Sequence, residues 1–253
     1  MDSVFGNIQL LDFTLTQLVF TALVFVWSGF VRSGLGFGGA ALGLPLMLLI
    51  DDRPLFWLPI IGIHLLVFSA LTLRTRLSHV DWGVLKRTSI YIFPAKLVGV
   101  FGLLSLPNRW LIMIIYGITL FYGILWMLNL RIQSERGWTD KLLLAMGGYF
   151  SGTSLTGAPL VVAVYMHQIK RGSLRDTLFV LWFVLVAIKL ATLAAFGIDL
   201  QWGNAMILLP VATIGHVIGL RAHEHMLQND QLFKRILGAV FIGICLLGFA
   251  SVL

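Results

Sequence analysis

Charge and cysteine are what this sequence has least of. Only 11% of its 253 residues are charged, less than half of the roughly 25% usual in a soluble domain, so ions cannot cover a water-facing surface. A single cysteine, Cys245, excludes a disulfide framework or a cysteine-built metal site within one chain. It lies in the last apolar run, where a packing role is expected. Acid is scarcer than base, with 11 Asp and Glu against 18 Lys and Arg. Every carboxylate (Asp2, Asp12, Asp51, Asp52, Asp81, Glu135, Asp140, Asp176, Asp199, Glu224, Asp230) falls between apolar runs or at their edges. Proton and sodium relays in membranes usually rest on buried carboxylates, so these runs offer a cation little to bind. The first 14 residues hold Asp2 and Asp12 and no Lys or Arg, unlike a cleavable signal peptide. The N-terminus is expected to be retained.

Apolar sequence is what abounds: 58% of residues are hydrophobic and the mean hydropathy is +0.94. Windows of about 19 residues mark apolar segments at 15–50, 54–73, 88–106, 110–130, 141–168, 177–197, 203–220 and 233–253. Each can span a hydrocarbon core of about 30 Å, which predicts an all-α polytopic membrane protein and excludes soluble enzymes, nucleic-acid binders and secreted scaffolds. The net charge of +7 does not point to nucleic acid, because most Lys and Arg sit in short loops, where they set orientation. The expected partners are a lipid bilayer and a small solute, with no nucleic acid; a homo-oligomer is left open. Trp57, Trp110, Trp138 and Trp202 stand at segment edges and read as interfacial anchors.

Two segments are odd. At 36 residues, 15–50 would measure about 54 Å as one helix, and both it and 141–168 carry a Gly-rich interruption. Basic loops at 74–87, 131–141, 168–176 and after Arg221 read as cytoplasmic, whereas Asp51-Asp52-Arg53, the 106–110 turn and Asp199 read as external. Both ends of 15–50 then lie outside and both ends of 141–168 inside, so each must fold back as a hairpin. Three single crossings remain per half, and an odd number inverts the second half relative to the first.

The hairpins also match as sequence. GGAALGLPL at 38–46 aligns with GTSLTGAPL at 152–160, pairing Gly38 with Gly152, Gly43 with Gly157, Pro45 with Pro159 and Leu46 with Leu160. A second register pairs Gly99 with Gly219, Gly123 with Gly243 and Lys96 with His216. The predicted architecture is two inverted-topology repeats, 1–130 and 131–253, each a broken-helix hairpin plus three transmembrane helices. Such breaks in corresponding positions mark transporter binding sites near the midplane.

Cations occupy the runs that acids avoid. Lys96 and Lys189 lie near the middle of theirs, and Arg32 just before the first Gly-rich break. A cation there costs about 2.5–3.5 kcal/mol on insertion scales, which an anionic ligand would offset; the competing reading is snorkelling of the ammonium to headgroups. A helix break exposes N–H groups and a positive dipole end. Gly36, Gly38, Gly39, Gly152 and Gly157 allow close backbone approach there, and Ser33, Thr153, Ser154 and Thr156 add hydroxyls. Tight helix packing is the alternative use of such small residues. His64 and His216, within apolar runs, can donate to an anion or change protonation. These residues form the candidate substrate site; no catalytic set, metal site or cofactor is expected. A membrane-embedded enzyme is disfavoured for want of clustered catalytic groups, and a non-transporting assembly subunit would not need buried lysines.

GLGFGGAALGLPLML at 34–48, GTSLTGAPLVV at 152–162 and IGLRAHEHMLQNDQLFKRILGAVFIGICLLG at 218–248 resemble the TauE/SafE family of sulfite and organosulfonate exporters. The resemblance implies export of a sulfur oxyanion or small sulfonate, such as sulfoacetate, from a bacterial cytoplasm across the inner membrane, without cofactor or ATP hydrolysis. Thr153 and Ser154 stand where Gly39 and Ala40 stand in the first motif, so substrate identity does not carry across. An importer or a channel for a similar anion remains the alternative.

Overall fold

A computed structural model describes residues 8–35, 39–74, 77–130, 137–228 and 230–252. Among these residues the chain is all-helical, with ten α-helices and no strand. They are α1 (Leu15–Leu35), α2 (Gly39–Ile50), α3 (Pro54–Leu73), α4 (Trp82–Ser105), α5 (Asn108–Met127), α6 (Gly137–Ser154), α7 (Ala158–Gln168), α8 (Arg171–Ala195), α9 (Trp202–Gln228) and α10 (Asp230–Val252). Short 3-10 turns at Gln9–Asp12 and Leu77–His79 precede α1 and α4. Among the described residues six helices are long and apolar enough to cross a membrane: α1, α3, α4, α5, α8 and α9. Many large apolar side chains on them face outward, among them Phe20, Leu23, Ile90, Val98 and Ile214. In water such a surface would drive aggregation; in lipid it is solvated.

The helices form two compact units. Unit 1 contains residues 1–60, 106–131 and 201–253, and unit 2 contains 61–105 and 132–200. In unit 1, α1 packs along α9 and folds back onto α2, while α5 packs on α10. In unit 2, α6 packs along α4, folds back onto α7, and α8 leans on both α4 and α7. The packing therefore interleaves the chain: the first hairpin sits against a helix from the C-terminal half, and the second against one from the N-terminal half.

Both odd segments do reverse. In the first, Gln17 Nε2 donates to the Ile50 carbonyl at 3.3 Å and Ser28 Oγ to the Gly39 carbonyl at 2.9 Å, so the outer ends of α1 and α2 lie together. In the second, Gln168 Nε2 donates to Asp140 Oδ2 at 2.8 Å, closing the outer ends of α6 and α7. The arms are unequal. With 21 and 18 residues, α1 and α6 measure about 31 and 27 Å, whereas α2 and α7, with 12 and 11, reach only about 18 and 16 Å.

Glycine makes the long-arm crossings possible. On α9, a Cβ at Gly215 would run into the Val26 carbonyl and one at Gly219 into the Phe30 carbonyl of α1. On α6, a Cβ at Gly148 would meet the Ile92 carbonyl and one at Gly152 the Lys96 carbonyl of α4. Both pairs are spaced G-x-x-x-G, which lets two backbones touch where lipid supplies no hydrophobic drive.

Two details differ from expectation. Trp57 is no interfacial anchor: it is fully buried, packed edge-on to Phe56 at 4.6 Å and near Phe25, with Nε1 donating to the Asp51 carbonyl at 2.9 Å. That buried partner is what an indole needs before it can leave the interface. Trp110, Trp138 and Trp202 are exposed, as anchors should be. The 168–176 stretch is also mostly helix, because α8 starts at Arg171 and includes Arg175 and a buried Asp176. In the loop before α3, Asp51 binds Arg53 through both oxygens at 2.7 and 2.6 Å. The hydrogen bond and the nearby acids hold the Arg53 guanidinium above its ordinary value, despite partial desolvation.

Candidate functional site

The last turn of α6 is the place to begin, because a helix end leaves carbonyls without intrahelical partners and carries the negative end of the dipole. Here α6 stops inside the protein: Ser151, Thr153, Ser154 and Thr156 are all buried. Leu155, the first residue past the helix, takes φ of +60°, a left-handed backbone that turns the chain toward α7. Its N–H still bonds the Ser151 carbonyl at 3.3 Å. A Cβ at Gly157, the N-cap of α7, would collide with the Gly147 carbonyl, so the short arm returns in direct backbone contact with the long one.

Two lysines from two other helices converge on this end. Lys96 of α4 donates to the Ser151 carbonyl at 3.2 Å and to Ser151 Oγ at 3.0 Å. Lys189 of α8 donates to the carbonyls of Gly152 at 2.7 Å and Thr153 at 3.2 Å. Both side chains are buried, at 0% and 1% exposure, which rules out the snorkelling alternative. Among the described residues neither ammonium lies within ion-pair distance of a carboxylate. The end of a helix supplies about half an elementary negative charge, against two formal positive charges.

The hydroxyls are spent differently from expectation. Thr153 Oγ1 donates back to the Tyr149 and Phe150 carbonyls at 3.3 Å each, and Ser154 Oγ to Phe150 at 3.1 Å. With its own hydrogen so used, Ser154 accepts from Thr156 Oγ1 at 2.6 Å. To serve a ligand, each must release a bond to its own hairpin. Ser151, which the sequence reading passed over, is the side chain that holds Lys96; its place immediately before GTSLTG was the available signal.

The other candidates sit on other elements. Arg32 and Ser33 sit in the last turn of α1 in unit 1 and are buried. Gly39 opens α2 against Arg32 and Ser28: a Cβ there would come within 2.7 Å of Arg32 Cβ. Ser33 Oγ donates to the Gly29 carbonyl at 3.0 Å and hydrogen-bonds His216 Nδ1 of α9. His64 is buried in α3, its ring edge-on to Phe68 at 6.4 Å. Gly36 and Gly38 lie outside the described residues. No group of three or more His, Cys, Asp or Glu that could hold a metal exists among the described residues.

No curated relative and no solved structure matches the chain. A family model described as Sulfite exporter TauE/SafE matches residues 21–247. That span takes in both hairpins, both lysines and all six helices of membrane-crossing length except the first residues of α1. A match along so much of the chain makes this multi-pass membrane protein a member of the TauE/SafE sulfite exporter family, a family of transporters rather than enzymes.

Proposed function

We propose that the protein exports a small oxyanion, sulfite or an organosulfonate such as sulfoacetate, across the bacterial inner membrane. One observation carries the reading: Lys96 and Lys189, from separate helices, meet at the interrupted end of α6 with no carboxylate among the described residues to neutralise them. A buried charge that truncation of a partner would strand is costly, so a positive excess built from two helices needs a negative visitor. The visitor competes with the Ser151, Gly152 and Thr153 carbonyls for ammonium hydrogens. Each ammonium has three donors and spends two on protein, leaving one from each lysine for the anion.

Outward movement needs no further coupling. One negative charge leaving an inside-negative cell gains about 2.3 kcal/mol per 100 mV. In this reading the halves 1–130 and 131–253 are an inverted duplication with basic loops in the cytoplasm. The matched crossings support it: Lys96 lies three residues before Gly99 on α4, and His216 three before Gly219 on α9.

Counterflow of labelled sulfite and sulfoacetate in proteoliposomes tests the proposal, with and without an imposed potential. Saturable counterflow that falls at least tenfold in both Lys96→Met and Lys189→Met is expected. Uptake without counterflow indicates a channel, and no flux of either anion refutes transport of this class.

A further inference from the structure

We propose that unit 2 carries a headgroup site for an anionic phospholipid of the phosphatidylglycerol type, formed by Arg87 of α4 and Lys141 of α6. The packing sets these two residues at one end of the same helix pair. On that pair Gly148 stands against the Ile92 carbonyl and Gly152 against the Lys96 carbonyl, an offset of 56 residues each time, so α4 and α6 run parallel. The same offset puts Trp82 level with Trp138, and both indoles are exposed. Exposed tryptophan marks the headgroup level of a bilayer. Lys141 follows Trp138 by one turn, and Arg87 follows Trp82 by between one and two.

Contacts within the unit hold both cations in place without neutralising them. Arg87 donates one guanidinium N–H to Gln168 Oε1 at 3.1 Å, and Gln168 Nε2 donates to Asp140 Oδ2 at 2.8 Å. Gln168 thus stands between Arg87 and the only acid of α6. The Lys141 ammonium lies over the Tyr91 ring, 5.7 Å from its centroid, and Tyr91 is one turn after Arg87 on α4. The two cations therefore share the α4–α6 seam. Among the described residues no carboxylate lies within ion-pair distance of either. A ring face takes up none of the three ammonium hydrogens, and Arg87 spends one of its five N–H donors on Gln168. Exposed Lys86 adds a third cation, against Asp140 and the α4 cap Asp81, which accepts from Val84 N at 3.0 Å, so the patch stays positive.

Apolar surface on the same two helices decides between a lipid and a free anion. Ile90, one turn after Lys86, is 68% exposed, and Leu142 and Met146, beside and just beyond Lys141, are exposed as well. A free phosphate gains nothing from these side chains. A phospholipid brings its phosphodiester to the cations and lays its acyl chains along Ile90, Leu142 and Met146. In the orientation read from the loop charges, this end faces the cytoplasmic leaflet, whose surface potential is negative. Basic sites between helices on that side take anionic headgroups. A phosphate shared by Arg87 and Lys141 also braces α4 against α6, the pair that joins Lys96 to Ser151 at its inner end.

Amine labelling of the full-length protein in lipid nanodiscs tests the site. Acetylation at Lys141 and Lys170 is followed by mass spectrometry in discs of phosphatidylcholine alone and in discs with three parts phosphatidylcholine to one part phosphatidylglycerol. Lys170, exposed just before α8, is the internal reference for surface potential. Phosphatidylglycerol is expected to slow acetylation at Lys141 by at least about threefold relative to Lys170. Inorganic phosphate or glycerol 3-phosphate added to phosphatidylcholine discs should give no such protection. Native mass spectrometry of the detergent-solubilised protein reads the variants. Lys141→Gln and Arg87→Gln should each lower retained phosphatidylglycerol about fivefold, the effect of one cation near an anionic surface. Lys141→Arg should stay near wild type, as should Arg221→Gln, which removes an exposed cation from unit 1. Equal slowing at Lys141 and Lys170, retention unchanged in both Gln variants, or an equal loss in Arg221→Gln overturns the inference. Protection by free phosphate makes this a site for soluble anions and overturns it too. Should the Gln variants fail to fold, the wild-type labelling decides by itself.

Discussion

Replacing Gly152 with alanine should both loosen unit 2 and disable its lysine cluster. A Cβ at this position would stand 2.9 Å from Gly99 Cα and 2.9 Å from Val100 N, and closer still to the Lys96 carbonyl. Ordinary contact begins at 3.4 Å, so α4 and α6 must part by at least about 0.5 Å, and the obstacle is backbone that cannot rotate away. Overpacking of this kind costs about 1–3 kcal/mol. The same displacement moves the Gly152 and Ser151 carbonyls away from Lys189 and Lys96, whose bonds already include two of 3.2 Å and weaken quickly beyond that length. The control is Gly117→Ala on α5, where no atom lies within 4 Å of the added Cβ and helix propensity favours alanine by up to about 1 kcal/mol. Equilibrium unfolding in mixed detergent micelles, with sulfite counterflow measured in parallel, should show Gly152→Ala destabilised and transport-deficient and Gly117→Ala neutral or stabilised. Equal behaviour of the two variants would refute the claim that glycine contact sets the α4–α6 crossing.

Lys96→Met and Lys189→Met should lose transport without losing stability, because each removes an uncompensated buried charge along with its hydrogen bonds; a drop of more than about 2 kcal/mol in unfolding free energy would make the lysines structural caps instead. Leu155 should show an inverted preference: at φ of +60°, Leu155→Gly is expected to be more stable than Leu155→Ala by about 1 kcal/mol, and the usual order would argue against a left-handed break. Trp57→Ala should cost about 3–5 kcal/mol by thermal or chemical unfolding, far more than Trp110→Ala, since Trp57 is enclosed and Trp110 is 56% exposed. Similar losses at both positions would contradict the buried placement of Trp57.

Much of this was readable from the sequence. Hydropathy located α3, α4, α5, α8 and α9 as helices of crossing length, while α1, read as a hairpin arm, is also that long; the charge of the loops required 15–50 and 141–168 to turn back, as the Gln17–Ile50 and Gln168–Asp140 bonds show they do. Buried lysines without acids in the same runs pointed at Lys96 and Lys189 because such charges are costly wherever they lie along a span. What the sequence hid was partnership. Nothing in one dimension says that α4 and α8 aim their ammonium groups at the carbonyl end of α6, where the expectation had been an exposed N–H end. The hydroxyls of Thr153 and Ser154 likewise looked free, yet each folds onto a carbonyl three or four residues earlier, a local bond that competes with any ligand. Trp57 misled for a related reason: its position near a segment edge was right, but the Asp51 carbonyl that lets it go inside belongs to the preceding turn.

Selenite, the heavier analogue of sulfite, offers the most direct test of the lysine cluster through the anomalous scattering of its selenium. A map of the selenite-bound protein should place selenium so that its oxygens lie within hydrogen-bonding distance of both Lys96 Nζ and Lys189 Nζ. Selenium found elsewhere, with both ammonium groups still on the Ser151, Gly152 and Thr153 carbonyls, would contradict the account.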